Sequence, residues 1–505
     1  MPHATRRQLL SLTLAAGLAP AFVRHARAQD VPRFALGVAS GQPRPRSLVL
    51  WTMLTGPGLP ERVAVQWEMA HDAAFTQIAA RGSEDAEQRW GHSVHADVSG
   101  LEPAREYWYR FNALGQRSQP ARTRTAPAPD AAATLKFAIA SCQRYDVGHF
   151  AAWRHLAAEA PDLIIFLGDY IYEGASAQAP LRAHQGGHAR TLAQYRQRYA
   201  QYKSDPALQA AHAAAPWLLV WDDHEVDNDY AGLTAQDFYE TFEAQRAAAY
   251  QAYWEHMPFP KSARPRGAHM RVYDRFEWGR LACIHAIDDR QYRDEQACPR
   301  QGRAGSNTVL LKECPDLLLP ARSLLGPEQE RWLAEGWDMQ RPWNLLAQQT
   351  LMARFSWSDP AGGAGRYWTD GWDGYPLARQ RLLNEVAQRK LRNLVVLSGD
   401  VHTHYVADLK VDYDDAKAPV LASEFCGTSI SSLSLPQGRI DAARVHNPHL
   451  HYARGDQRGY VMFELDEQRL RARLTALDDP RFEQTNIRTA ARFVVERDRP
   501  GPQAA

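Results

Sequence analysis

The stretch DLIIFLGDYIYE, residues 162–173, decides the fold of this chain. It begins with a short apolar run, Leu163 to Leu167, that is rich in Ile and Phe and predicts a β-strand buried on both faces. Gly168 then allows a tight turn, and the carboxyl group of Asp169 and the phenol of Tyr172 follow directly. Because ligands of open α/β sheets bind at the carboxyl ends of the strands, this stretch predicts a binding site at one sheet edge.

Similar strand patterns recur beyond residue 134, and they end on residues that can bind a metal or a substrate. The helical patterns between them, at residues 150–160 and 235–256, favour an α/β domain. Three further strand ends carry such side chains: Cys142 after Leu135–Ser141, then Asp222, Asp223 and His224 after Pro216–Trp221, and Asp400 and His402 after Leu394–Ser398. We also predict a helix over residues 488–499, which by analogy would lie near the site as a lid.

Residues 34–125 have a different pattern, with short alternating strands separated by turn signals. Strands at this spacing predict a small β-sandwich, and Leu101–Arg110 resembles the corner and strand of fibronectin-like or Ig-like sandwiches. Residues 125–133 are rich in Pro and Ala, which is typical of a linker. We therefore predict an N-terminal β-sandwich domain over residues 31–126 and an α/β domain over residues 134–505.

The first 28 residues have the pattern of a twin-arginine signal peptide. Arg6 and Arg7 begin it, an apolar region runs from Leu9 to about Phe22, and Ala26–Ala28 supplies a small-x-small cleavage site. The apolar region is shorter than the roughly 20 residues of a membrane span, so we expect cleavage and no stable membrane anchor. The signal implies the Tat translocase as a partner during export and a periplasmic or secreted mature chain.

Composition limits the possible partners. A formal net charge of +1 gives no signature of nucleic-acid binding, and 505 residues predict two or more domains.

Five cysteines leave at least one thiol unpaired. We predict a disulfide between Cys298 and Cys314, which share a polar loop, and a buried inert thiol at Cys283. We expect a monomer.

The side chains at the predicted strand ends combine thiol, carboxyl, phenol and imidazole groups, which together form the donor set of a metal site. Crowded carboxylates repel one another and stay ionised only where cations neutralise them. Thiolate, phenolate and imidazole favour a transition metal, whereas carboxylate and amide oxygens suit calcium or magnesium. Alone, the Asp222–Glu225 run is more typical of a solvated helix start and Cys142 of a small core residue. The ordered series of strand ends favours a metal site.

Six short motifs lie at or near these strand ends: Ala140–Gln143, Leu167–Glu173, Trp221–Asp229, Asn344–Gln349, Leu397–His402 and Glu424–Ile430. Together they resemble the alkaline phosphatase D (PhoD) family, which belongs to the calcineurin-like and purple-acid-phosphatase-like metallophosphoesterases. The resemblance implies a four-layer αββα metallophosphoesterase domain preceded by a small β-sandwich. Within it, we interpret residues 344–349 as a buried helix-to-strand connection.

The resemblance also implies a site that holds ferric iron and calcium, with zinc, magnesium or manganese as alternatives. By motif match the iron ligands are Cys142, Asp169, Tyr172 and His402, and the calcium side comprises Asp223, Asn228 and Asp400, with Asp169 as the bridge. The choice among Asp222, Asp223 and Asn228 stays open, because this acidic segment offers several oxygens within one turn. The wider superfamily has an Asp-x-His at its first strand, and Cys142 occupies that place here.

Catalytic roles follow from the same match. His224 lies where the superfamily places a histidine that contacts the substrate phosphate, so it is the candidate for that contact or for a general acid. Asp169, as the bridge, and Arg144, whose guanidinium could pair with phosphate oxygens, are the other catalytic candidates. An exposed surface arginine is an equally good interpretation of Arg144.

Substrate contacts are assigned to His224, Asn228 and Arg366. Arg366 belongs to the stretch Gly362–Tyr375, which is rich in glycine and aromatic residues. This stretch predicts a loop over the site, with Tyr367 and Trp372 as further contacts, or alternatively an aromatic-packed structural loop.

These inferences predict a secreted phosphoesterase that releases phosphate from phosphomonoesters, with diesters as a further substrate class, through a metal-activated oxygen nucleophile. The alternative within the enzyme class is a phosphodiesterase or phospholipase-type enzyme acting on phospholipids or teichoic-acid-like polymers. Two other classes remain: an exported non-catalytic binding protein, and an oxidase that uses a tyrosinate–iron centre on the same scaffold.

Overall fold

The computed structural model describes residues 31–175 and 180–505. The predicted signal peptide, residues 1–28, lies outside the described residues. Within the described ranges, none of the helices combines the length and the apolar character that a bilayer crossing requires.

Eight strands form the N-terminal part of the described chain. They are β1 (Val38–Gly41), β2 (Ser47–Met53), β3 (Arg62–Ala70), β4 (Ile78–Glu87), β5 (Ser93–Ser99), β6 (Glu106–Ala113), β7 (Gln116–Arg117) and β8 (Ala121–Arg124). The all-β pattern predicted for residues 34–125 is thus confirmed.

Strands and helices alternate in the remainder of the chain, as predicted. The helices are α1 (Ala151–Ala158), α2 (Leu192–Lys203), α3 (Pro206–Ala214), α4 (Phe242–His256), α5 (Gly326–Gly336), α6 (Pro376–Arg389) and α7 (Gln437–Arg444). The strands are β9 (Leu135–Ala140), β10 (Leu163–Leu167), β11 (Trp217–Val220), β12 (Asp274–Trp278), β13 (Ala282–Ala286), β14 (Thr308–Leu310), β15 (Trp343–Ala347), β16 (Arg366–Trp368), β17 (Leu394–Ser398), β18 (His404–Leu409), β19 (Ala422–Cys426), β20 (Leu450–Arg454), β21 (Val461–Leu465), β22 (Arg469–Leu477), β23 (Ile487–Glu496) and β24 (Arg499–Ala504).

Two large sheets pack face to face. One has ten strands in the order β24-β23-β22-β21-β9-β10-β11-β1-β2-β5, and the other has seven in the order β12-β13-β15-β17-β19-β18-β20. Strands β9, β10 and β11 are mutually parallel, and so are β13, β15, β17 and β19. The carboxyl ends of each parallel set therefore meet at one edge.

The side chains of β10 explain why its sequence is apolar throughout. Ile164 and Phe166 pack into a core that includes buried residues of α1, α2, α3 and α4. Leu163, Ile165 and Leu167 point the other way, into the core shared with the seven-stranded sheet. Because neighbouring side chains of a strand face opposite sides, a strand between two layers is apolar at every position.

Helices α5, α6 and α7 cover the outer face of the seven-stranded sheet, where Leu346 of β15 and Val396 of β17 meet buried residues of all three helices. The order of layers is therefore helix, sheet, sheet, helix. This confirms the predicted four-layer αββα architecture.

The N-terminal sandwich shares strands with the larger fold. A five-stranded sheet in the order β4-β3-β6-β7, with β8 paired to β6, packs against β2 and β5 across one apolar core. Strand β1 pairs in parallel with β11, where Gly41 opposes Trp217. The second layer of the sandwich is therefore the end of the ten-stranded sheet.

Two local predictions were wrong. Residues 488–499, predicted as a helix, fall mainly in β23, which pairs antiparallel with β22 and β24 inside the ten-stranded sheet, so they form no lid helix. Residues 344–349, predicted as a helix-to-strand connection, belong mostly to the buried central strand β15. The disulfide between Cys298 and Cys314 and the buried free thiol of Cys283 are confirmed.

Candidate metal centre

The predicted metal ligands lie on tight turns just after the parallel strands. Cys142, Asp169, Asp400 and His402 have φ angles of 57°, 59°, 63° and 52°. A residue other than glycine adopts this left-handed conformation at a cost, and such strain is found where function requires it. Four strained residues at adjoining strand ends therefore mark this edge as the functional one.

Gly168 permits the turn that presents Asp169. Its φ angle is 103°, and a Cβ atom at this position would lie 2.4 Å from the Cβ atom of Asp222 and 2.6 Å from its backbone nitrogen. Only glycine allows the ends of β10 and β11 to approach this closely. The motif Gly-Asp thus fixes the distance between two acidic loops.

Two buried glutamates hold the ligand loops. Glu225 accepts hydrogen bonds from the backbone N–H groups of Asp169 at 3.0 Å and of Asp222 at 2.8 Å. On the other sheet, Glu424 accepts from the backbone of Met352 and from the hydroxyl of Ser398, both at 2.7 Å. Each carboxylate fixes two loops at once, so the site is rigid before any ligand binds.

Cys142, Asp169 and His402 form the first group of donors, with ligand atoms within 4.8 Å of one another. The phenol of Tyr172 lies among them, because its hydroxyl donates to Asp169 Oδ2 at 2.7 Å and lies 3.1 Å from His402 Nε2. Ser432 Oγ donates to the same phenol oxygen at 2.7 Å. All four predicted iron ligands thus meet in one place.

The tautomer of His402 suits metal binding. Its Nδ1 is 2.6 Å from the carbonyl oxygen of Leu433, and since a carbonyl only accepts, Nδ1 carries the proton. The lone pair is then on Nε2, which faces Tyr172 and the donor group. Burial lowers the pKa of His402 to about 3, so the imidazole is neutral at ordinary pH.

Asp169, Asp223 and His224 form a second group at the same spacing, in which the two carboxylates are the candidate donors. The backbone N–H of His224 donates to Asp169 Oδ1 at 3.4 Å and to Asp223 Oδ1 at 3.0 Å. Asp169 belongs to both groups. It is the carboxylate that the two groups share.

The electrostatics of the first group favour a cation. Burial, with the nearby Asp223 charge, raises the pKa of Asp169 to about 7 against the pull of His224. Burial and then the charge of Asp169 raise the pKa values of the Cys142 thiol and the Tyr172 phenol. Asp400 Oδ2 is buried, and no donor of the described residues lies in bonding geometry with it. A bound cation would stabilise the ionised forms of these groups and give Asp400 Oδ2 a partner. The residues present therefore fit a metal.

Asp222 is engaged differently from Asp223. Its carboxylate forms a hydrogen-bonded ion pair with Arg290, and both side chains are fully buried. Arg290 also pairs with Asp370 at 2.7 Å, and Arg293 contacts the other oxygen of Asp370 at 2.5 Å. Arg290 lies farther from Asp223, at 4.0 Å. Asp222 is thus neutralised by protein, whereas Asp223 faces Asp169 and the cavity.

His224 is held by a buried carboxylate. Its Nδ1 is 2.7 Å from Glu173 Oε2, and its ring lies 4.1 Å from the ring of Tyr172. Burial lowers the pKa of His224, but Glu173, Asp223 and Asp169 outweigh it and hold the pKa well above the ordinary value. With Nδ1 donating to Glu173, Nε2 is the nitrogen available to a substrate.

The remaining predicted site residues divide into two groups. Asn228 and Arg366 line the cavity, and Asn228 Nδ2 donates to Gln236 at 2.6 Å, which leaves the amide oxygen for a cation. Arg144 lies behind Tyr172, with its guanidinium 4.6 Å from the phenol ring and 2.9 Å from Asp146. Arg144 does not line the cavity.

The cavity over these donors has a volume of about 1100 Å³. Its inner end carries Asp169, Asp223, His224 and His402, and its outer wall is largely aromatic and apolar. The loop predicted over the site is present there, since Arg366 and Trp372 line the cavity while Tyr367 does not. This volume admits an organic phosphate much larger than inorganic phosphate.

Two facing sheets with donor-bearing turns at their shared edge, and a carboxylate common to two donor groups, define the class of metal-dependent phosphoric ester hydrolases. Comparison with known proteins gives the family. Residues 137–474 match the family model described as PhoD-like phosphatase, and residues 17–127 match that of its N-terminal domain. The chain belongs to the PhoD-like phosphatase family.

Individual relatives agree with this assignment. The chain is 40% identical over 486 residues to alkaline phosphatase D of Bacillus subtilis (strain 168), covering 93% of this chain and 82% of the relative. A solved structure of PhoD superposes with a TM-score of 0.88 at 38% identity, covering 94% of this chain and 92% of that one. A purple acid phosphatase from yellow lupin seeds shares the fold, with a TM-score of 0.56 at 12% identity over 91% and 74% of the two chains.

Sequence reasoning assigned no role to the residues that hold the site together, namely Glu173, Glu225, Arg290, Asp370, Glu424 and Ser432. Glu173, Glu225 and Glu424 lie inside three of the six motifs. The motifs therefore contain these glutamates but do not predict which groups they bind. Arg290 and Asp370 lie 68 and 148 residues beyond Asp222 in the chain. No local pattern connects them.

Proposed function

We propose that this protein is an exported phosphatase that hydrolyses phosphomonoesters at a two-cation centre bridged by Asp169. The observation that carries the proposal is that Asp169 belongs to both donor groups, Cys142–Asp169–His402 and Asp169–Asp223–His224. A shared carboxylate between two cation positions is the arrangement of two-metal phosphate ester hydrolysis. The similarity to alkaline phosphatase D supports the choice of ester.

The donor chemistry favours two different cations. Thiolate, phenolate and imidazole suit ferric iron, which Cys142, Tyr172 and His402 would hold together with Asp169. Carboxylate and amide oxygens suit calcium, which Asp223, Asn228 and Asp400 would hold on the other side of Asp169. When bound, the two cations polarise the phosphate ester and stabilise the charge that develops on its oxygens. Zinc, magnesium and manganese remain alternative occupants.

The residues of the chain orient the ester and supply a proton. The imidazolium of His224, fixed through Nδ1 by Glu173, presents Nε2–H to a phosphate oxygen or to the departing alkoxide oxygen. Arg366 lies on the cavity wall and contributes positive charge for the substrate. Hydrogen bonds from Ser432 to Tyr172 and from Tyr172 to Asp169 hold these donors together before a cation binds.

A phosphodiesterase activity is the second candidate. The cavity volume of about 1100 Å³ leaves room for a second ester group beside the reacting phosphate.

We also propose export by the twin-arginine route to the periplasm or beyond the cell, from the pattern of residues 1–28. The division into a sandwich over residues 31–126 and a catalytic domain over residues 134–505 is proposed on the same sequence basis.

Metal content tests the proposal first. Protein purified without chelator should contain about one iron and at least one calcium per chain and should release phosphate from 4-nitrophenyl phosphate. Activity should disappear on metal removal and return when both cations are restored. Folded protein without metal, or a metal-loaded protein without phosphatase activity, would contradict the proposal.

Tyr172→Phe tests the iron side separately. A tyrosinate ligand to ferric iron gives a visible charge-transfer band, which this variant should lose. Tyr170→Phe is the matched control, because Tyr170 is equally buried but contacts His212 Nε2 at 2.7 Å and not the donors. A band that survives Tyr172→Phe would assign the ligand to another tyrosine.

A further inference from the structure

The outer wall of the cavity contains a row of three aromatic side chains, which we call the aromatic strip: Tyr405, Phe355 and Trp357. Tyr405 follows His402 by three residues in the chain, and its ring lies 5.4 Å from the ring of Phe355. The ring of Phe355 lies 4.7 Å from that of Trp357. All three line the cavity that also contains the donor groups. Tyr405 and Phe355 are buried and Trp357 is half-buried, so the aromatic strip approaches the surface at its Trp357 end.

The aromatic strip is fixed in place by its own hydrogen bonds. Ser356, between Phe355 and Trp357, donates its backbone N–H to Asn447 Oδ1 at 2.9 Å, and its carbonyl oxygen accepts from Asn447 Nδ2 at 2.8 Å. The backbone N–H of Trp357 donates to the carbonyl oxygen of Arg366 at 2.9 Å. A wall held this way loses little conformational entropy when a ligand binds.

A cation lies at the outer end of the aromatic strip. The guanidinium of Arg439 on α7 lies 5.8 Å from the ring of Trp357 and lines the cavity. Arg439 is exposed, and the part of the chain that the structure describes offers it no acidic partner within ion-pair distance. An arginine without a carboxylate at a cavity mouth is available to an anionic ligand.

We propose that the aromatic strip and Arg439 form a leaving-group subsite for phosphate esters whose alcohol part carries planar rings and, beyond them, a negative charge. This inference rests on the proposed phosphatase function and specifies its substrate class. With the phosphate at the donor groups, rings stack along the aromatic strip. The distal anion then reaches Arg439. Purely aliphatic esters leave the aromatic faces and the guanidinium without complementary partners.

Four synthetic esters test the subsite without changing the reacting bond. They are 4-phenylbenzyl, 4-cyclohexylbenzyl, 4-(4-carboxyphenyl)benzyl and 4-(4-carbamoylphenyl)benzyl phosphate. All four release a benzyl-type alcohol of nearly equal acidity, so differences in kcat/KM report binding of the outer group. The phenyl and cyclohexyl esters differ in planarity, and the carboxylate and carboxamide esters differ in charge.

In the metal-loaded wild-type protein, we expect the phenyl ester to exceed the cyclohexyl ester in kcat/KM by roughly 10-fold. The carboxylate ester should exceed the carboxamide by roughly 5-fold. Trp357→Ala should remove the first preference, and Trp357→Phe should keep part of it. Arg439→Gln should remove the second preference, whereas Arg439→Lys should keep part of it.

Arg444→Gln is the matched control, because Arg444 lies on the same helix, is exposed and does not line the cavity. It should leave both preferences unchanged. Equal kcat/KM for all four esters, or loss of the carboxylate preference in Arg444→Gln as well, would overturn the subsite while the phosphatase function stands. Hydrolysis of none of them by metal-loaded protein would overturn both.

Discussion

Two buried charged clusters lie side by side in this site, and they are neutralised in different ways. In the arginine cluster, Asp222 and Asp370 pair with the fully buried Arg290, and Arg293 completes the group. In the donor cluster, Cys142, Asp169, Tyr172 and His402 contact one another, and none of the arginines that the structure describes forms an ion pair with Asp169. A buried acidic cluster with its own cations is structural, and one without them can accept a metal.

The pKa values of Asp370 and Asp169 differ between the two clusters. Burial raises the pKa of Asp370, but Arg290 and Arg293 outweigh it and hold the pKa far below its ordinary value. In the donor cluster burial prevails and raises the pKa of Asp169 to about 7. Arg290 and Arg293 therefore keep Asp370 ionised without a metal, whereas at Asp222 burial prevails over Arg290 and raises the pKa. Without a metal, Asp169 is partly protonated at neutral pH, and a bound cation would displace this proton.

The largest effect should follow the removal of Arg290. Arg290→Met leaves the buried Asp222 without its cation and Asp370 with Arg293 alone, and breaking a buried pair in this way typically costs about 3–5 kcal/mol of folding free energy. Urea unfolding of chelator-treated protein measures the loss independently of the metal. Adding Asp222→Asn to the variant should recover part of it, since one uncompensated charge is then gone. A loss below about 1 kcal/mol would show that the cluster does not depend on its arginine.

Cys142→Ala should instead spare the fold and remove the metal. Loss of one ligand should lower iron affinity more than the 10- to 100-fold typical of losing a residue that only orients a ligand, and phosphatase activity should fall with it. Iron content and Tm of the purified variant are the measurements. Cys283→Ala is the matched control, because this thiol is also buried but lies on β13 away from the donors. Equal iron in both variants would remove Cys142 from the ligand set.

The pH dependence of metal-free protein should separate the clusters further. The folded-state pKa of Asp169 is about 7 and that of Glu225 about 8, against ordinary values of 3.8 and 4.5. A raised carboxyl pKa gives stability that is fully present below the ordinary value and is lost as pH rises through the folded value. The Tm of chelated protein should therefore fall by several degrees between pH 5 and pH 8.

Metal-loaded protein is the comparison for this prediction. A bound cation takes the place of the proton on Asp169, so Tm should fall less over the same pH interval, with Glu225 as the remaining contribution. Asp370 does not contribute, because Arg290 and Arg293 hold its pKa far below the interval. Parallel Tm curves for the two forms would show that the donor cluster does not exchange protons for metal.

The layered fold, and the meeting of the predicted donor side chains at one sheet edge, could be predicted from the sequence because both depend on local patterns. The apolar run of β10 and the turn at Gly168 are visible within ten residues, and so are Asp169 and Tyr172. The distinction between Asp222 and Asp223 was left open, since it depends on Arg290 from a later strand end. Residues 488–499 were misread as helical because pairing with β22, and not their own propensity, decides their structure.

The smallest predicted effect concerns Arg144, which the sequence proposed as a phosphate contact and the structure places behind Tyr172. A cation over a phenol ring contributes about 0.5–2 kcal/mol, so Arg144→Gln should weaken iron retention a few-fold while KM changes by less than about twofold. Arg366→Gln, on the cavity wall, should do the reverse and raise KM with iron content unchanged. KM and iron content measured on both variants decide between the roles. If Arg144→Gln raises KM as Arg366→Gln does, Arg144 contacts the substrate, and the donor cluster keeps its tyrosine in place without help from an arginine.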